Sequence, residues 1–271
     1  MRKAALLLRL LAQHPGGLGL SEVARLANLH HATAYRLLWT LSAAGLVESG
    51  SADRRYRLGF RILELAGVLL DGLEVRQVAR PVLPWLASLS GETAHLATLD
   101  RDEMVCLDRV DGPHPVTLRT RLGFRLPAHA TSVGKAFLAF SAPAVVERVV
   151  QSGRLTRYTE YTITSREAFL AHLEQVRRQG YAVDNQEHRL TIRCVGAPIF
   201  DHRGQPVAAI SIAGPVFRLS VRRIREVAEL VREAARKISQ ALGHAGSGSA
   251  PPEAPPRARW PRRRQGRGPG P

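Results

Sequence analysis

Three places in the chain hold residue types that can do chemistry. Residues 125–140, RLPAHATSVGKAFLAF, set a Gly134-Lys135 pair inside a helical pattern, like the end of a phosphate-cradling loop. That loop needs G-x-x-x-x-G-K-[ST], a first glycine for the turn and a last hydroxyl for magnesium. His129 and Ala136 occupy those two positions, so the phosphate reading fails. What remains is a Pro-containing loop, Arg125 to His129, then small and hydroxyl residues at 130–132. A helix from Gly134 to Phe140 follows, whose first backbone N–H groups have no partner of their own: a socket for a small anion or polar ligand. Secondly, Cys194 with His188 and Asp184 can be drawn as a nucleophile with its base, or as a thiol lining a pocket on a strand. No separate acid/base pair or oxyanion turn supports the first drawing. Thirdly, His30-His31 suggests a metal, but adjacent helical side chains point about 100° apart, and no third ligand or zinc spacing accompanies them. No metal and no cofactor is expected.

The elements that must position these residues follow from length and pattern. A chain of 271 residues has room for two modest domains. Of its net charge of +16, residues 1–60 carry +5 and residues 244–271 another +5. Basic ends attract nucleic acid or an anionic surface. Two cysteines without C-x-x-C spacing, no secretory pattern and no long apolar run imply a soluble, cytoplasmic protein that does not enter a membrane.

Residues 3–13 read as a helix closed by the breaker run HPGG. A second helix begins at Ser21, its expected cap, carries Glu22 in its first turn and ends at Asn28, suited to a left-handed turn. From His30 to Gly45, Ala34, Leu37, Leu38 and Leu41 fall on one face, and Ala32, Arg36 and Trp39 on the other, with Thr33, Tyr35 and Thr40 flanking. LVES and RRYRLG then form a short basic hairpin with Arg54, Arg55 and Arg57 near its tip. Three helices with a tight turn before the third, then a hairpin, make a winged helix-turn-helix. In such a module Thr33, Tyr35 and Arg36 face phosphates and base edges, the hairpin arginines face the backbone, and Trp39 packs against the wing.

Residues 61–90 are mostly helical with a bend at Pro81 and Pro84, and hold more apolar residues than a lone linker can bury, so a partner chain is the natural cover. From Thr93 the period changes to two: strands over 93–100 and 103–110, a third over VTLRT (116–120), the socket, a polar stretch, a helix from Arg166 to Gln179 stopped by Gly180, then YAVDN, RCVGAPIF and VAAISIAG. Val221, Ile224, Val227, Ala228, Val231, Ala235, Ile238 and Leu242 give one face of a last helix. Residues 244–271 have almost nothing to bury.

Taken in order, LSEVARLANLHHATAYRLLWTLSAAGLVE, YRLG (56–59), LPAHATSVGKAFLA and GYAVDNQEHRLTIRCVGAPIFD with AAISIAGP resemble the IclR family of bacterial transcriptional regulators over roughly residues 3–242. The resemblance implies a homodimer, or a pair of dimers, that binds a double-stranded DNA operator and a small-molecule effector, commonly an organic acid or aromatic. It implies an effector pocket at Ala130, Thr131, Ser132, Val133, Asp184, Cys194, Ser211 and Ala213. Arg189 and Thr191 stand where the family usually has an acidic residue and a glycine, and Ala213 often corresponds to a serine. His31 and Ala32 take reading-helix positions where a basic residue and serine are frequent, and join Thr33, Tyr35, Arg36, Arg54 and Arg55 as expected DNA contacts.

The expected architecture is α+β: a winged helix-turn-helix over 1–60, a helical linker for dimerisation over 61–90, a GAF-like effector-binding domain with an antiparallel sheet over 91–243, and a disordered basic tail over 244–271. The expected role is a ligand-responsive transcriptional regulator and not an enzyme. The rival is a hydrolase or nucleotide-using enzyme built on the C-terminal domain.

Overall fold

The computed structural model describes residues 1–50, 53–114, 120–153 and 155–245. The expected third strand, apart from Thr120, and the basic tail beyond Ala245 lie outside the described residues. The chain divides into two compact units, the first over Met1–Leu73 and the second beginning at Glu74.

In the first unit α1 (Arg2–Gln13), α2 (Leu20–Leu26) and α3 (His31–Ala43) precede a two-stranded antiparallel hairpin of β1 (Val47–Ser49) and β2 (Tyr56–Leu58). Leu7 and Leu11 of α1, Val23 of α2, Ala34, Leu38 and Leu41 of α3 and Val47 of β1 close one small core. Each fully buried leucine is worth about 1.5–3 kcal/mol over its exposed state. Asn28 takes the left-handed turn expected of it, at φ 51°. The cap of α2 differs from expectation. Gly19 is the capping residue, and its N–H donates to Glu22 Oε2 at 2.8 Å. Ser21 lies inside the helix, where its hydroxyl meets His31 Nε2 at 3.4 Å across the turn.

The helical stretch 61–90 is three helices. In α4 (Arg61–Asp71), which belongs to the first unit, no residue is buried, and Leu63, Leu65, Val68 and Leu69 all lie open. In the second unit α5 (Glu74–Ala79) and α6 (Val82–Ser90) follow, with Pro81 capping α6 and Pro84 in its first turn, where a missing N–H costs nothing.

The second unit is one six-stranded antiparallel sheet of β3 (Thr93–Asp100), β4 (Glu103–Val110), β5 (Arg125–Pro127), β6 (Ala182–Asn185), β7 (Ile192–Phe200) and β8 (Pro206–Pro215). Their order is β5-β4-β3-β8-β7-β6. Register pairs His95 with Ser211, Gly196 with Ser211, and Cys194 with Ala213 and Asp184, so by strand alternation these side chains share one face. That face carries α7 (Ser132–Ala139), α8 (Pro143–Gly153) and α9 (Arg166–Gln179), with Phe137, Leu138, Val146, Val149, Phe169 and Leu173 in its core. The other face, with Leu96, Val195, Ile210 and Ile212, is covered by α6 and α10 (Ile224–Ala241). Val221 precedes α10 in a 3-10 turn and is exposed, so the buried face begins at Ile224, and Ala234 joins it. The polar stretch before α9 contains α8, and the start of the socket loop is the edge strand β5. Ser165 caps α9 by accepting from Ala168 N at 3.1 Å, and Gly180 ends it at φ 77°.

Candidate functional site

The Gly134-Lys135 pair is explained by packing. A Cβ on Gly134 would sit 2.1 Å from Ala128 O, so no side chain fits where α7 crosses the loop before it. Lys135 is fully buried; its ammonium donates to Val183 O at 2.7 Å and forms an ion pair with Glu187 on the β6–β7 connection. Thr131 caps α7, accepting from Gly134 N at 3.3 Å and donating to Pro127 O at 2.8 Å. Gly196 of β7 lies under the start of α7, where a Cβ would stand 3.0 Å from Ser132 O.

Between the start of α7 and the sheet lies a cavity of about 60 Å³, room for a few water molecules. Seven of the eight positions expected from the resemblance line it: Thr131, Ser132, Val133, Asp184, Cys194, Ser211 and Ala213. Ala130 does not; it is fully buried away from the space. The wall also contains His95, Ala97, Cys106 and Leu126, and on another side Thr120, Phe124, His188, Arg189 and Ile192.

The hydroxyls of Ser132 and Ser211 are the telling groups. Both residues line the cavity, are 1% and 4% exposed, and make no hydrogen bond among the described residues. Neither oxygen is among the fully buried atoms left without a partner, so both hydroxyls open onto the cavity space and are free to bond to whatever occupies it. Asp184 Oδ1 accepts from Glu187 N at 2.7 Å and His188 N at 3.4 Å. Burial raises the Asp184 carboxyl to about 7, with the Lys135 ammonium opposing and Glu187 adding to the rise. Burial lowers His95 to about 4, helped by Arg109, and lowers His188 to about 4, helped by Arg189. Burial pushes the Cys194 thiol well above its ordinary value, with the Asp184 charge adding. Near neutral pH the wall therefore offers neutral imidazoles and a thiol, and no thiolate.

On the first unit, α3 presents Ala32, Tyr35, Arg36 and Trp39 to solvent, Trp39 at 65% exposure. Arg36 has no carboxylate or carbonyl partner among the described residues. His31 is also exposed and Thr33 half-buried. The hairpin arginines divide. Arg54 sits exposed at the turn with φ 50°. Arg55 donates to Gly17 O at 2.8 Å, while Arg57 donates to Gly16 O at 3.1 Å and pairs with Asp53, so both staple the hairpin to the turn after α1. Among the described residues no group of three or more His, Cys, Asp or Glu could hold a metal ion, and no helix is long and apolar enough to cross a membrane.

Known proteins share this arrangement. Residues 68–240 match the family model described as "Bacterial transcriptional regulator IclR C-terminal", and residues 2–50 match "IclR helix-turn-helix domain". The HTH-type transcriptional regulator KdgR of Escherichia coli is 34% identical over 227 residues, 84% of this chain and 86% of that one. The crystal structure of the Thermotoga maritima IclR superposes with a TM-score of 0.75 at 34% identity, covering 90% of this chain and 98% of the other. An IclR homolog from Microbacterium hydrocarbonoxydans, complexed with 4-hydroxybenzoate, superposes at 0.73 and 31% identity, covering 83% and 91%. With a helix-turn-helix in its first unit and both family models matched along its length, the chain belongs to the IclR family and is a ligand-responsive, DNA-binding transcriptional regulator.

Proposed function

We propose that residues 1–60 read an operator through α3, that residues 61–90 couple two copies, and that residues 91–243 form a GAF-like domain sensing a small organic acid, aliphatic or aromatic. His31, Ala32, Thr33, Tyr35 and Arg36 contact the duplex, with Arg36 reaching base edges or phosphate. The hairpin acts as the wing. Arg54 supplies its phosphate contact, since Arg55 and Arg57 are occupied in holding the hairpin to Gly17 and Gly16. The apolar face of α4 is the dimer contact, covered by a second copy of the chain, alone or within a pair of dimers. Such a protein works with the chromosome, in the cytoplasm.

The observation that carries the sensing half is the pair of cavity-lining hydroxyls, Ser132 and Ser211, which have no hydrogen-bond partner among the described residues, beside the start of α7. A carboxylate there accepts from the hydroxyls and the first N–H groups of the helix, and a protonated Asp184 adds a donor. The neighbour that holds 4-hydroxybenzoate supports the acid class. Ala213 offers no hydroxyl, so the ligand's far edge is bound less tightly there than by a serine. The enzyme alternative is weakened by the thiol of Cys194, which burial keeps protonated. Mechanistically, an acid that prefers one arrangement of the sensing domains changes operator affinity by its differential binding energy, about 1–3 kcal/mol. The test is a mobility-shift titration on the DNA upstream of the chain's own gene. Arg36→Ala should weaken binding about tenfold to a hundredfold with the fold intact. Unchanged affinity in that variant overturns the assignment of α3.

A further inference from the structure

Arg189 is the one guanidinium among the residues lining the cavity. It is exposed at the mouth, and its side chain has no hydrogen bond or ion pair among the described residues. The lining imidazoles of His95 and His188 are held neutral near pH 7 by burial, so Arg189 is the one permanent positive charge among the residues that line the cavity.

Its backbone is fixed. Gln186 and Thr191 both take left-handed conformations, each at φ 66°, unusual for a β-branched threonine. The turn is clipped by Thr191 N donating to Gln186 Oε1 at 3.1 Å and by Val216 N donating to Thr191 O at 2.8 Å. A strained turn held at both ends thus brings an unmatched cation to the lining of the same cavity that the Ser132 and Ser211 hydroxyls line, beside apolar Ala97, Val133, Ile192 and Ala213. The lining therefore offers a guanidinium and, separately, a pair of hydroxyls at a helix start as donors for anionic groups.

We infer that Arg189 is a specificity-determining residue and that the effector is a small dicarboxylate, one carboxylate seated at Ser132 and Ser211 and the other paired with Arg189 at the mouth. This rests on the cavity being the effector site. A planar guanidinium binds a carboxylate through two parallel N–H···O bonds, a geometry a lysine cannot copy.

Calorimetric titration of the full chain with two matched pairs, succinate against butyrate and terephthalate against 4-methylbenzoate, tests it. Wild-type protein should bind the diacid of at least one pair about tenfold more tightly than its monoacid. Arg189→Gln should erase that preference while leaving monoacid affinity and thermal unfolding of the ligand-free protein unchanged, and Arg189→Lys should keep only part of it. A diacid preference that survives in Arg189→Gln, or a wild-type preference for the monoacid in both pairs, overturns the inference and leaves the cavity assignment standing. No binding of any of the four acids by wild-type protein overturns both.

Discussion

The exposed face of α3 and the wall of the cavity carry polar side chains that have no protein partner in two different ways. On α3, Arg36, Tyr35 and Trp39 stand in water, which satisfies their polar atoms, and the leucines behind them do the folding. In the cavity, Ser132, Ser211 and Asp184 are buried in the same layer that holds α7 to the sheet, so the side chains proposed to meet a ligand also belong to the packed layer. Substitutions on α3 should therefore separate function from stability, whereas those in the cavity should mix them, with a sign that depends on whether the side chain already has a partner.

The largest effect belongs to Lys135, which supports the cavity without lining it. Lys135→Met should destabilise the second unit by about 3–5 kcal/mol in denaturant titration, because Glu187 is left buried with an uncompensated charge. Glu187 Oε2 already has no hydrogen-bond partner among the described residues, so nothing nearby takes over. Loss of less than about 1 kcal/mol would show that the pair is not structural. On α3, by contrast, Arg36→Ala should change stability by less than about 0.5 kcal/mol.

A middle-sized effect is expected with pH. His95 and His188 titrate near 4 and His172 near 3 in the folded chain, all lowered chiefly by burial, so unfolding takes up protons below the ordinary histidine value and stability rises with pH toward 6.5. Asp184 works the other way. Its folded value of about 7 lies above the unfolded one, so its contribution is fully present below pH 4 and is lost as pH rises through about 7. Asp184→Asn should thus steepen the rise in stability between pH 4.5 and 6.5, by up to about 1.4 kcal/mol per pH unit, measured as chemical denaturation across that window. An unchanged slope would mean that Asp184 is ionised in the folded chain.

The smallest effect is the most discriminating. Ser211→Ala removes a buried hydroxyl with no partner, so the ligand-free protein should keep or slightly gain stability, while affinity for a bound carboxylate falls about fivefold, one hydrogen bond's worth. A clear loss of stability would show that the hydroxyl serves the fold.

The same division explains what was legible in the sequence. The face of α3 follows from a 100° step applied to Leu37, Leu38 and Leu41, because helix periodicity is local. Seven cavity positions came through the resemblance, but His95, Ala97 and Cys106 reach the cavity by strand register across β3, β4 and β8, which no local pattern records. The partner of Lys135 lies 52 positions away, so a lysine inside an apolar helix had no visible reason. In α8, Val145, Val146, Val149 and Val150 have helical spacing, but β-branched residues beside a charged pair blur the signal. Thr191 is the reverse case: the glycine expected there would sit easily at φ 66°, and the threonine marks a turn held by its surroundings.

A ligand-responsive regulator needs the two regions to be coupled, so that filling the cavity changes DNA binding by the first unit. Operator affinity should be measured in a fluorescence-anisotropy titration with and without a saturating carboxylic acid that binds the cavity, and the acid's affinity measured with and without operator. Both should change by the same factor, about 5-fold to 150-fold, as linkage requires. An acid that binds through Ser211 and Asp184 yet leaves operator affinity unchanged would contradict that coupling.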